Sequence, residues 1–523
     1  MKLNTLDIII FSGYFAILLF IGFWSGRKKN KKATDFFLTS NTLPWYVIGF
    51  SIIAAGISSE QFLGTVGFAY NYGLSVANWE WLNGPAILLL AFIFIPFYIR
   101  RKVITMPHFL EMRYNGKLRI LFAIITVLTY VFINMAGVIF SGGYALNKIF
   151  GLDLYIGIWG MTIIAGSFTI YGGMESVAWT NVFQSILLLS SGLLIFFMGL
   201  FVIPGGMDTI IGEGTRSHLI LPASDPEIPW TGLIILMIST NVWFFCTNQT
   251  INQAALGAKN EWHARIGVLF AGFLAIAIAF ADAFPGLIAY VLNPNLEASD
   301  DAYPYVVNHL IPVGLKGLVF AGLCGAIIST IEALANASST IFSFDIYKRW
   351  INKNATDKQI IFYGRIVGAA VLIVGTLWAP VVMQFGHIFS YFQECWAFIA
   401  IPVAVIFVLG VLWDGLTDRS AFWTLLLSFP MLVLPYVLRT FNVDMNVFNV
   451  AGFVLAFTLI FTIITSLLTK KEKKSELGNY IWNISMLKIP QRIFSDRYYW
   501  FRKVGFWAVI MIISYLTVYY IFW

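Results

Sequence analysis

The sequence predicts an all-α membrane protein with about fourteen transmembrane helices. Of the 523 residues, 59% are hydrophobic and only 11% are charged, whereas soluble chains carry about 25% charged residues. The mean hydropathy is +0.80, and apolar stretches of about twenty residues, the length that crosses a bilayer, recur along the whole chain. These observations argue against a large soluble enzyme, which would need charged surfaces and polar linkers.

Fourteen stretches meet the length criterion for a membrane span. By residue number they are 5–26, 44–72, 77–99, 119–149, 153–172, 176–202, 229–257, 264–292, 316–346, 361–385, 386–412, 420–438, 446–469 and 503–523. The first is followed, not preceded, by a basic run, which is the reverse of a secretory signal. We therefore expect it to remain in the membrane as a span.

The distribution of positive charge indicates the orientation of these spans. With the N-terminus placed outside, 28 of the 33 Lys and Arg residues fall on the inner side. The five outer ones are Lys2, Lys148, Arg216, Lys316 and Arg439. Because cytoplasmic loops are enriched in Lys and Arg, we expect a multi-pass protein of a cell membrane, the bacterial inner membrane, with both termini outside the cytoplasm.

Other classes of function find little support. Basic runs such as RKKNKK (27–32) and KEKK (471–474) flank membrane spans, as bilayer anchors do, so we expect no nucleic-acid partner. The three cysteines lie far apart, and the five histidines form no metal-binding pair such as HExxH. The expectation is therefore a protein that is not an enzyme.

Two spans carry polar residues near their middle. AAGISSEQF (54–62) interrupts the second span, and NVWFFCTNQTINQ (241–253) interrupts the seventh. Each opens a block of five spans, and because five is odd, the second block enters the membrane from the opposite side. Paired interrupted helices in oppositely oriented blocks are typical of secondary transporters with inverted repeats. The alternative is two helices that line a static polar interface.

We therefore expect one transmembrane transporter domain over residues 1–523. It would contain an extra N-terminal helix (5–26), a first five-helix repeat (44–202), an inverted second repeat (229–412) and C-terminal helices (420–523). Unwound backbone is tolerated in a bilayer only where it is buried in protein or faces a wet cavity. Its carbonyl oxygens, together with the hydroxyls of Ser329 and Thr330 in the ninth span, suit a hard cation such as Na⁺.

Six motifs extend this interpretation across most of the chain. In order they are ISSEQF (57–62), NWEW (78–81), YGGMESVAWTNVFQ (171–184), TNQ (247–249), ISTIEALANASSTIFSFDIYK (328–348) and YFQE (391–394). In this combination the chain resembles the sodium/solute symporter family, and within it the sodium–galactose and sodium–glucose cotransporter branch. The resemblance implies a ten-helix inverted-repeat core of the LeuT type, with two discontinuous helices, that works by alternating access.

The resemblance also implies two sets of binding residues. Its sodium ligands would be the carbonyl groups of Ala54, Ile57 and Ala326 and the hydroxyls of Ser329 and Thr330. Its sugar contacts would be Gln61, Glu80, Asn83, Asn248 and Gln393, whose amides and carboxylate pair well with hydroxyl groups. The chain departs from the galactose branch at Ala275, where that branch has Lys, and at Thr250 and Ile251, where a gating Tyr is expected.

Glu332 lies three residues after Ser329, on the same face of the ninth span, and an intramembrane carboxylate is by default a functional candidate. Asn181 stands where some relatives have an Asp that helps form a second sodium site. Glu332 is expected to offset that loss with its negative charge, to carry a proton, or to make a structural hydrogen bond to Asn181 or a neighbouring helix. The sequence leaves these alternatives open.

The expected function is Na⁺-coupled symport of a neutral hexose such as glucose or galactose, with Na⁺ as the coupling ion and the lipid bilayer as surroundings. The alternatives are Na⁺- or H⁺-coupled uptake of myo-inositol, an amino sugar or a uronate, and, more remotely, a membrane solute sensor. The sugar, the number of ions per cycle and the oligomeric state stay open.

Overall fold

The computed structural model describes residues 4–27, 32–57, 61–212, 214–385, 388–441, 447–469, 481–490 and 500–523. Across these ranges the secondary structure is helical, apart from isolated bridges that pair Leu43 with Ala258 and Leu221 with Pro229. The α-helices of five residues or more are Thr5–Ser25, Ala33–Leu38, Trp45–Gly56, Val66–Tyr72, Asn83–Leu89, Ile95–Arg100, Met106–Arg113, Gly116–Leu128, Ala136–Phe150, Leu154–Val202, Met207–Ile211, Trp230–Ile238, Gln249–Leu256, Glu261–Leu292, Ala302–Leu310, Lys316–Ile341, Asp357–Trp378, Ile388–Leu412, Asp418–Leu426, Ser428–Thr440, Val447–Leu468 and Val504–Phe522. Turns of π-helix lie at Gln61–Thr65, Leu90–Phe94, Thr129–Met135, Trp243–Thr247 and Phe342–Ile351.

Ten helices in the described part of the chain are long and apolar enough to cross a membrane. Fewer helices than the fourteen predicted spans meet this criterion because Leu154–Val202 contains two predicted spans. In addition, Trp45–Gly56 and Ile399–Leu412 are shorter apolar helices, belonging to the predicted second and eleventh spans. The predicted twelfth span, 420–438, is divided between two short helices, Asp418–Leu426 and Ser428–Thr440. The prediction of an all-α membrane protein is confirmed.

The Leu154–Val202 segment shows where two spans meet. Its 49 residues would extend about 73 Å as one straight α-helix, more than twice the hydrocarbon thickness of about 30 Å. The chain turns at Gly173, which has φ 63° and ψ −154°, a conformation that residues with a Cβ rarely adopt. A Cβ there would also lie 2.5 Å from the carbonyl oxygen of Phe36. The turn divides the segment at the place where the boundaries 153–172 and 176–202 predict it.

Both predicted interruptions are present. The Trp45–Gly56 helix ends at Ile57, whose backbone is extended at φ −115° and ψ 117°, and helical structure is present again at Gln61. Residues 58–60, in the middle of AAGISSEQF, lie outside the described residues. The second interruption falls at Asn248, with φ −77° and ψ 127°, directly before Gln249–Leu256. The division into repeats at 44–202 and 229–412 stays a prediction.

The Glu261–Leu292 helix contacts the first interrupted span on both sides of its break. On one side, a Cβ on Gly267 would lie 2.8 Å from the carbonyl oxygen of Trp45. On the other, a Cβ on Gly286 would lie 2.2 Å from the carbonyl oxygen of Val66 and 2.8 Å from the backbone nitrogen of Tyr70. These glycines let the two backbones approach closely, as small residues do at helix interfaces in membranes. One continuous helix therefore braces the two halves of the broken one.

We expect Gly286→Ala to destabilise the protein by roughly 1–3 kcal/mol, the usual cost of overpacking, because the new methyl group meets backbone atoms that no side-chain rotation can move. Gly160→Ala is the matched control, since it also lies in a membrane helix but has no atom within 4 Å of an added Cβ. Thermal unfolding of the detergent-purified variants checks this. Equal melting temperatures for the two variants would contradict the bracing role.

Candidate cation and solute site

Four oxygen atoms of the predicted sodium site lie close together. Ser329 Oγ is 2.9 Å from the carbonyl oxygen of Ala54 and 3.0 Å from that of Ala326. Thr330 Oγ1 is 3.5 Å and 3.1 Å from the same two oxygens. Both hydroxyl side chains are buried, so the cluster faces the protein interior rather than lipid.

The ends of the helices explain why these oxygens meet. Ala54 lies in the last turn of Trp45–Gly56, where carbonyl groups run out of donors within the helix and carry partial negative charge. Ser329 and Thr330 lie in the middle of Lys316–Ile341, a helix whose side chains are almost all buried. Ile57, the fifth predicted ligand, is the buried residue at which the chain leaves the helix.

The spacing of the cluster fits a small hard cation. Hard cations of the size of Ca²⁺ have oxygen ligands at about 2.3–2.6 Å, which places neighbouring ligands of an octahedron about 3.3–3.7 Å apart. The oxygen pairs given above are 2.9–3.5 Å apart, so the cluster needs only a slight expansion to hold an ion. Since all four oxygens are uncharged, the chemistry favours a monovalent cation.

A cavity lies directly beside the first interruption. Its volume is about 70 Å³, and Gly56 and Ile57 contribute to its wall. Glu80 and Asn83 line it from the next span, and Ala275 lines it from Glu261–Leu292. Asn83 Nδ2 donates a hydrogen bond of 3.2 Å to Glu80 Oε2. Two of the five predicted sugar contacts are thus together next to the cation cluster.

Aromatic side chains form much of the remaining wall. Trp79, Phe244, Phe245 and Trp396 line the cavity, and the rings of Phe244 and Trp396 are 6.3 Å apart between centroids. Polar groups on this side are Thr240 and Asn241 of the second interrupted span. A solute in this cavity would therefore meet flat apolar rings and a few polar groups, a combination typical of binding sites for small molecules.

Of the other predicted sugar contacts, Asn248 is described, and it lies outside this cavity. Asn248 lines a separate small cavity with Tyr130, and its Oδ1 accepts hydrogen bonds from the Tyr130 hydroxyl and from the backbone and hydroxyl of Thr250. Its side chain thus caps Gln249–Leu256. The side chains of Gln61 and Gln393 lie outside the described part of the structure. The role of all three in solute binding stays a prediction.

Glu332 is fully buried and bonded to a neighbouring helix. Its Oε2 accepts a hydrogen bond of 2.7 Å from Thr180 Oγ1, and its Oε1 accepts one of 3.2 Å from Gln184 Nε2. Asn181 is also buried, but its Oδ1 has no hydrogen-bond partner among the described residues. Glu332 is therefore hydrogen-bonded to a neighbouring helix, which is one of the expected alternatives. Its partners on that helix are Thr180, directly before Asn181, and Gln184, three residues after it.

Asp282 is a buried group that the motifs do not indicate. It is fully buried, and neither of its carboxylate oxygens has a hydrogen-bond partner among the described residues. It lies seven residues after Ala275, about two turns along the same face of Glu261–Leu292. The feature of the sequence that points to Asp282 is the presence of a carboxylate within an apolar span.

An ion-pair cluster at the ends of two span helices anchors the helix that carries Ser329. Glu111 Oε1 accepts a hydrogen bond of 2.8 Å from Arg349 Nε, and Glu111 also pairs with Arg119. Burial would raise the pKa of the Glu111 carboxyl group, but hydrogen bonds from Arg349 and Arg119 outweigh it and lower that pKa. The charged Glu111 thereby ties Met106–Arg113 to the π-helical end of the Ser329 helix.

Comparison with known proteins agrees with this geometry. The family model described as "Sodium:solute symporter family" matches residues 36–428. The sodium/glucose cotransporter of Vibrio parahaemolyticus is 34% identical over 461 residues, which is 82% of this chain and 84% of that protein. Human sodium/myo-inositol cotransporter 2 is 32% identical over 476 residues, 82% of this chain and 70% of that protein.

Solved structures support the fold independently. The substrate-bound outward-open structure of a Na⁺-coupled sialic acid symporter covers 90% of this chain and 100% of its own, with a TM-score of 0.80 at 22% identity. The region matched by the family model includes both interrupted spans and the hydroxyls of Ser329 and Thr330. The chain belongs to the sodium:solute symporter family.

Proposed function

We propose that this protein uses the downhill entry of Na⁺ to take up a sugar, with a neutral hexose such as glucose or galactose as the expected solute. The observation that carries the proposal is the position of the solute cavity. Its wall contains Gly56 and Ile57, while Ala54, one turn earlier, lies within 3.5 Å of the hydroxyls of Ser329 and Thr330. Because one backbone interruption contributes to both sites, an ion bound to it orders part of the solute site, which is a direct route to coupling.

One Na⁺ per cycle supplies enough free energy for accumulation. Moving one charge through about 100 mV releases about 2.3 kcal/mol, and a tenfold concentration gradient adds about 1.4 kcal/mol. The sum corresponds to a sugar gradient of several hundredfold. A single site built from Ala54, Ile57, Ala326, Ser329 and Thr330 is therefore sufficient to drive uptake.

The proposed cycle is alternating access. Na⁺ bound at the first interruption would stabilise an outward-open state, and the repeats 44–202 and 229–412 would then rock against each other to expose both ligands to the cytoplasm. The cavity of about 70 Å³ has to widen to admit a hexose. We expect rotation of the aromatic side chains in its wall to provide that space.

A second candidate solute is myo-inositol, favoured by the similarity to sodium/myo-inositol cotransporters. A polyol ring and a hexose present similar sets of hydroxyl groups to Glu80 and Asn83. A uronate is disfavoured, because the described lining contains Glu80 and no Lys, Arg or His to meet a carboxylate.

We expect Ser329→Ala to raise the Na⁺ concentration for half-maximal hexose uptake by about 10- to 100-fold. The variant loses one of the clustered oxygens. We expect the contact of that oxygen with the cation to contribute as much to binding as a hydrogen bond to a charged group, about 1.5–3 kcal/mol. Uptake of labelled glucose by proteoliposomes over a range of Na⁺ concentrations measures this. Ser338→Ala is the control, since Ser338 is a buried serine of the same helix whose hydroxyl has no hydrogen-bond partner in the part of the chain that the structure describes. Unchanged Na⁺ dependence in Ser329→Ala would refute the site.

We also propose that the charge of Glu332 strengthens Na⁺ binding. Residues three apart on a helix lie about 5–6 Å apart, and opposite charges at that distance attract by about 3 kcal/mol at an effective dielectric constant of about 20. We therefore expect Glu332→Gln to weaken Na⁺ activation of uptake by 10- to 100-fold.

Glu332→Gln is well suited to testing the role of the charge because it preserves the shape of the side chain. Among the described residues the Oε1 atom of Gln184 has no hydrogen-bond partner, so a rotated Gln184 amide can accept from the new amide group. Na⁺ activation, ion-to-sugar stoichiometry and the pH profile of uptake are compared with those of wild type. If none of the three changes, Glu332 has only the structural role of joining two helices.

A further inference from the structure

A second cavity, larger than the solute cavity, lies where several membrane helices end. Its volume is about 520 Å³, within the range of about 300–1,000 Å³ that is usual for small-molecule pockets. Its wall is formed by three segments, within residues 34–41, 98–104 and 256–260. On the orientation expected from the distribution of Lys and Arg, all three face the cytoplasm. The described residues that line this inner cavity do not line the solute cavity.

The wall of the inner cavity carries polar side chains that the rest of the described chain does not engage. Lys102 and Lys259 bring positive charge, Asp35 brings negative charge, and Ser40 and Asn41 bring a hydroxyl and an amide. Within the described ranges, the side chains of these five residues form no hydrogen bond and no ion pair. They are therefore available to a ligand.

The backbone around the inner cavity is held in a conformation that residues with a side chain rarely adopt. In the described chain the non-glycine residues with positive φ are Thr39, Ser40, Asn41 and Lys102, with φ of 64°, 50°, 55° and 54°. Three of these four residues line the cavity. Thr39 Oγ1 holds the turn by donating a hydrogen bond of 3.2 Å to the carbonyl oxygen of Gly257. Strained backbone of this kind is concentrated at ligand-binding and switch segments.

The inner cavity also lies across a junction between the two interrupted spans. The backbone nitrogen of Lys259 donates a hydrogen bond of 3.0 Å to the carbonyl oxygen of Leu43, and the nitrogen of Leu43 donates one of 3.1 Å to that of Gly257. Leu43 lies just before Trp45–Gly56, and Gly257 directly follows Gln249–Leu256. A ligand in this cavity therefore contacts segments that lead into both interrupted spans, and its binding favours the state in which they are joined.

We propose that the inner cavity binds a phosphate ester whose alcohol part carries hydroxyl groups, and that the bound ester slows uptake by holding the two interrupted spans together. A phosphate monoester carries nearly two negative charges and three acceptor oxygens, enough to meet both Lys102 and Lys259, whereas a carboxylate carries one charge. Asp35, Ser40 and Asn41 would pair with the hydroxyl groups. Phosphorylation of an imported sugar yields such an ester, and so does the synthesis of some lipid headgroups.

Isothermal titration calorimetry of the purified full-length protein in a neutral detergent tests binding. Glucose and Na⁺ are kept in excess throughout, so that the solute site does not contribute. We expect glucose 6-phosphate to bind, and inorganic phosphate, which lacks the hydroxyl groups, to bind about tenfold more weakly. Equal affinity for the two would overturn the inference.

A second titration distinguishes the two sources of the ester. Phosphatidylglycerol in mixed micelles offers a phosphate ester with hydroxyl groups on a lipid. Binding of glucose 6-phosphate assigns a soluble ligand, and binding of phosphatidylglycerol alone assigns a membrane lipid. Binding of neither overturns the inference. Raising the ionic strength should weaken binding to the wild-type protein, and affinity that ignores salt would contradict a site built on Lys102 and Lys259.

Three lysine variants locate the site. Lys102→Gln and Lys259→Gln each remove one charged donor, and each should weaken binding of the ester about tenfold. Lys358→Gln is the matched control, because Lys358 is also exposed, in the first turn of Asp357–Trp378, but does not line the cavity. All three side chains are exposed, so the substitutions leave the core unchanged. If the first two variants bind like the control, the inference is overturned.

Uptake measurements separate this inference from the proposed function. Ester binding does not depend on that function, whereas the slowing of uptake rests on it. With glucose 6-phosphate trapped inside proteoliposomes at its Kd, Na⁺-driven glucose uptake should fall by about half, as half of the cavities are filled, and Lys259→Gln should restore it. For a lipid ligand, vesicles with and without phosphatidylglycerol are compared. Unchanged uptake overturns the regulatory role, while calorimetric binding without uptake under any condition overturns the proposed function alone.

Discussion

The need to satisfy backbone carbonyl groups inside a bilayer governs this structure. A helix that stops at Ile57 leaves oxygens that lipid cannot hydrogen-bond, and the carbonyl of Ala54 lies instead within reach of Ser329 and Thr330. The close glycine contacts of Glu261–Leu292 hold the two halves of the broken span in place. The break is therefore a supported feature of the fold, and the oxygens gathered around it are uncharged and need only a slight expansion to hold a small cation.

Charge is distributed around this break in a consistent way. The oxygen cluster itself is uncharged, but Glu332 lies one turn beyond Ser329 and is held by Thr180 and Gln184. On the other side, Glu80 lines the cavity and accepts a hydrogen bond from Asn83. A cation at the break would reduce the cost of burying the Glu332 carboxylate. Ion and solute binding can support each other through the backbone of the interruption that both sites share.

The sequence predicted the features that depend on local pattern. Polar residues within an apolar span indicated both interruptions, and the resemblance implied that Ala54 and Ala326 lie with Ser329 and Thr330. The contacts of Asn248 and Glu332 depend instead on how helices are rotated against each other. Adjacent helical residues point about 100° apart, so sequence alone could not decide that Glu332 bonds to Thr180 and Gln184. Asn248 meets Tyr130, 118 residues earlier, a pairing that only tertiary packing creates.

The most direct test of the account is to locate the bound cation. Crystals of the protein grown with Na⁺ and exchanged into Tl⁺, a monovalent ion with strong anomalous scattering, would reveal its position independently of any transport assay. The account predicts an anomalous peak within coordination distance of the Ala54 carbonyl oxygen and Ser329 Oγ. Full occupancy of another position, such as the Glu332 carboxylate, with no peak between Ala54 and Ser329 would contradict it.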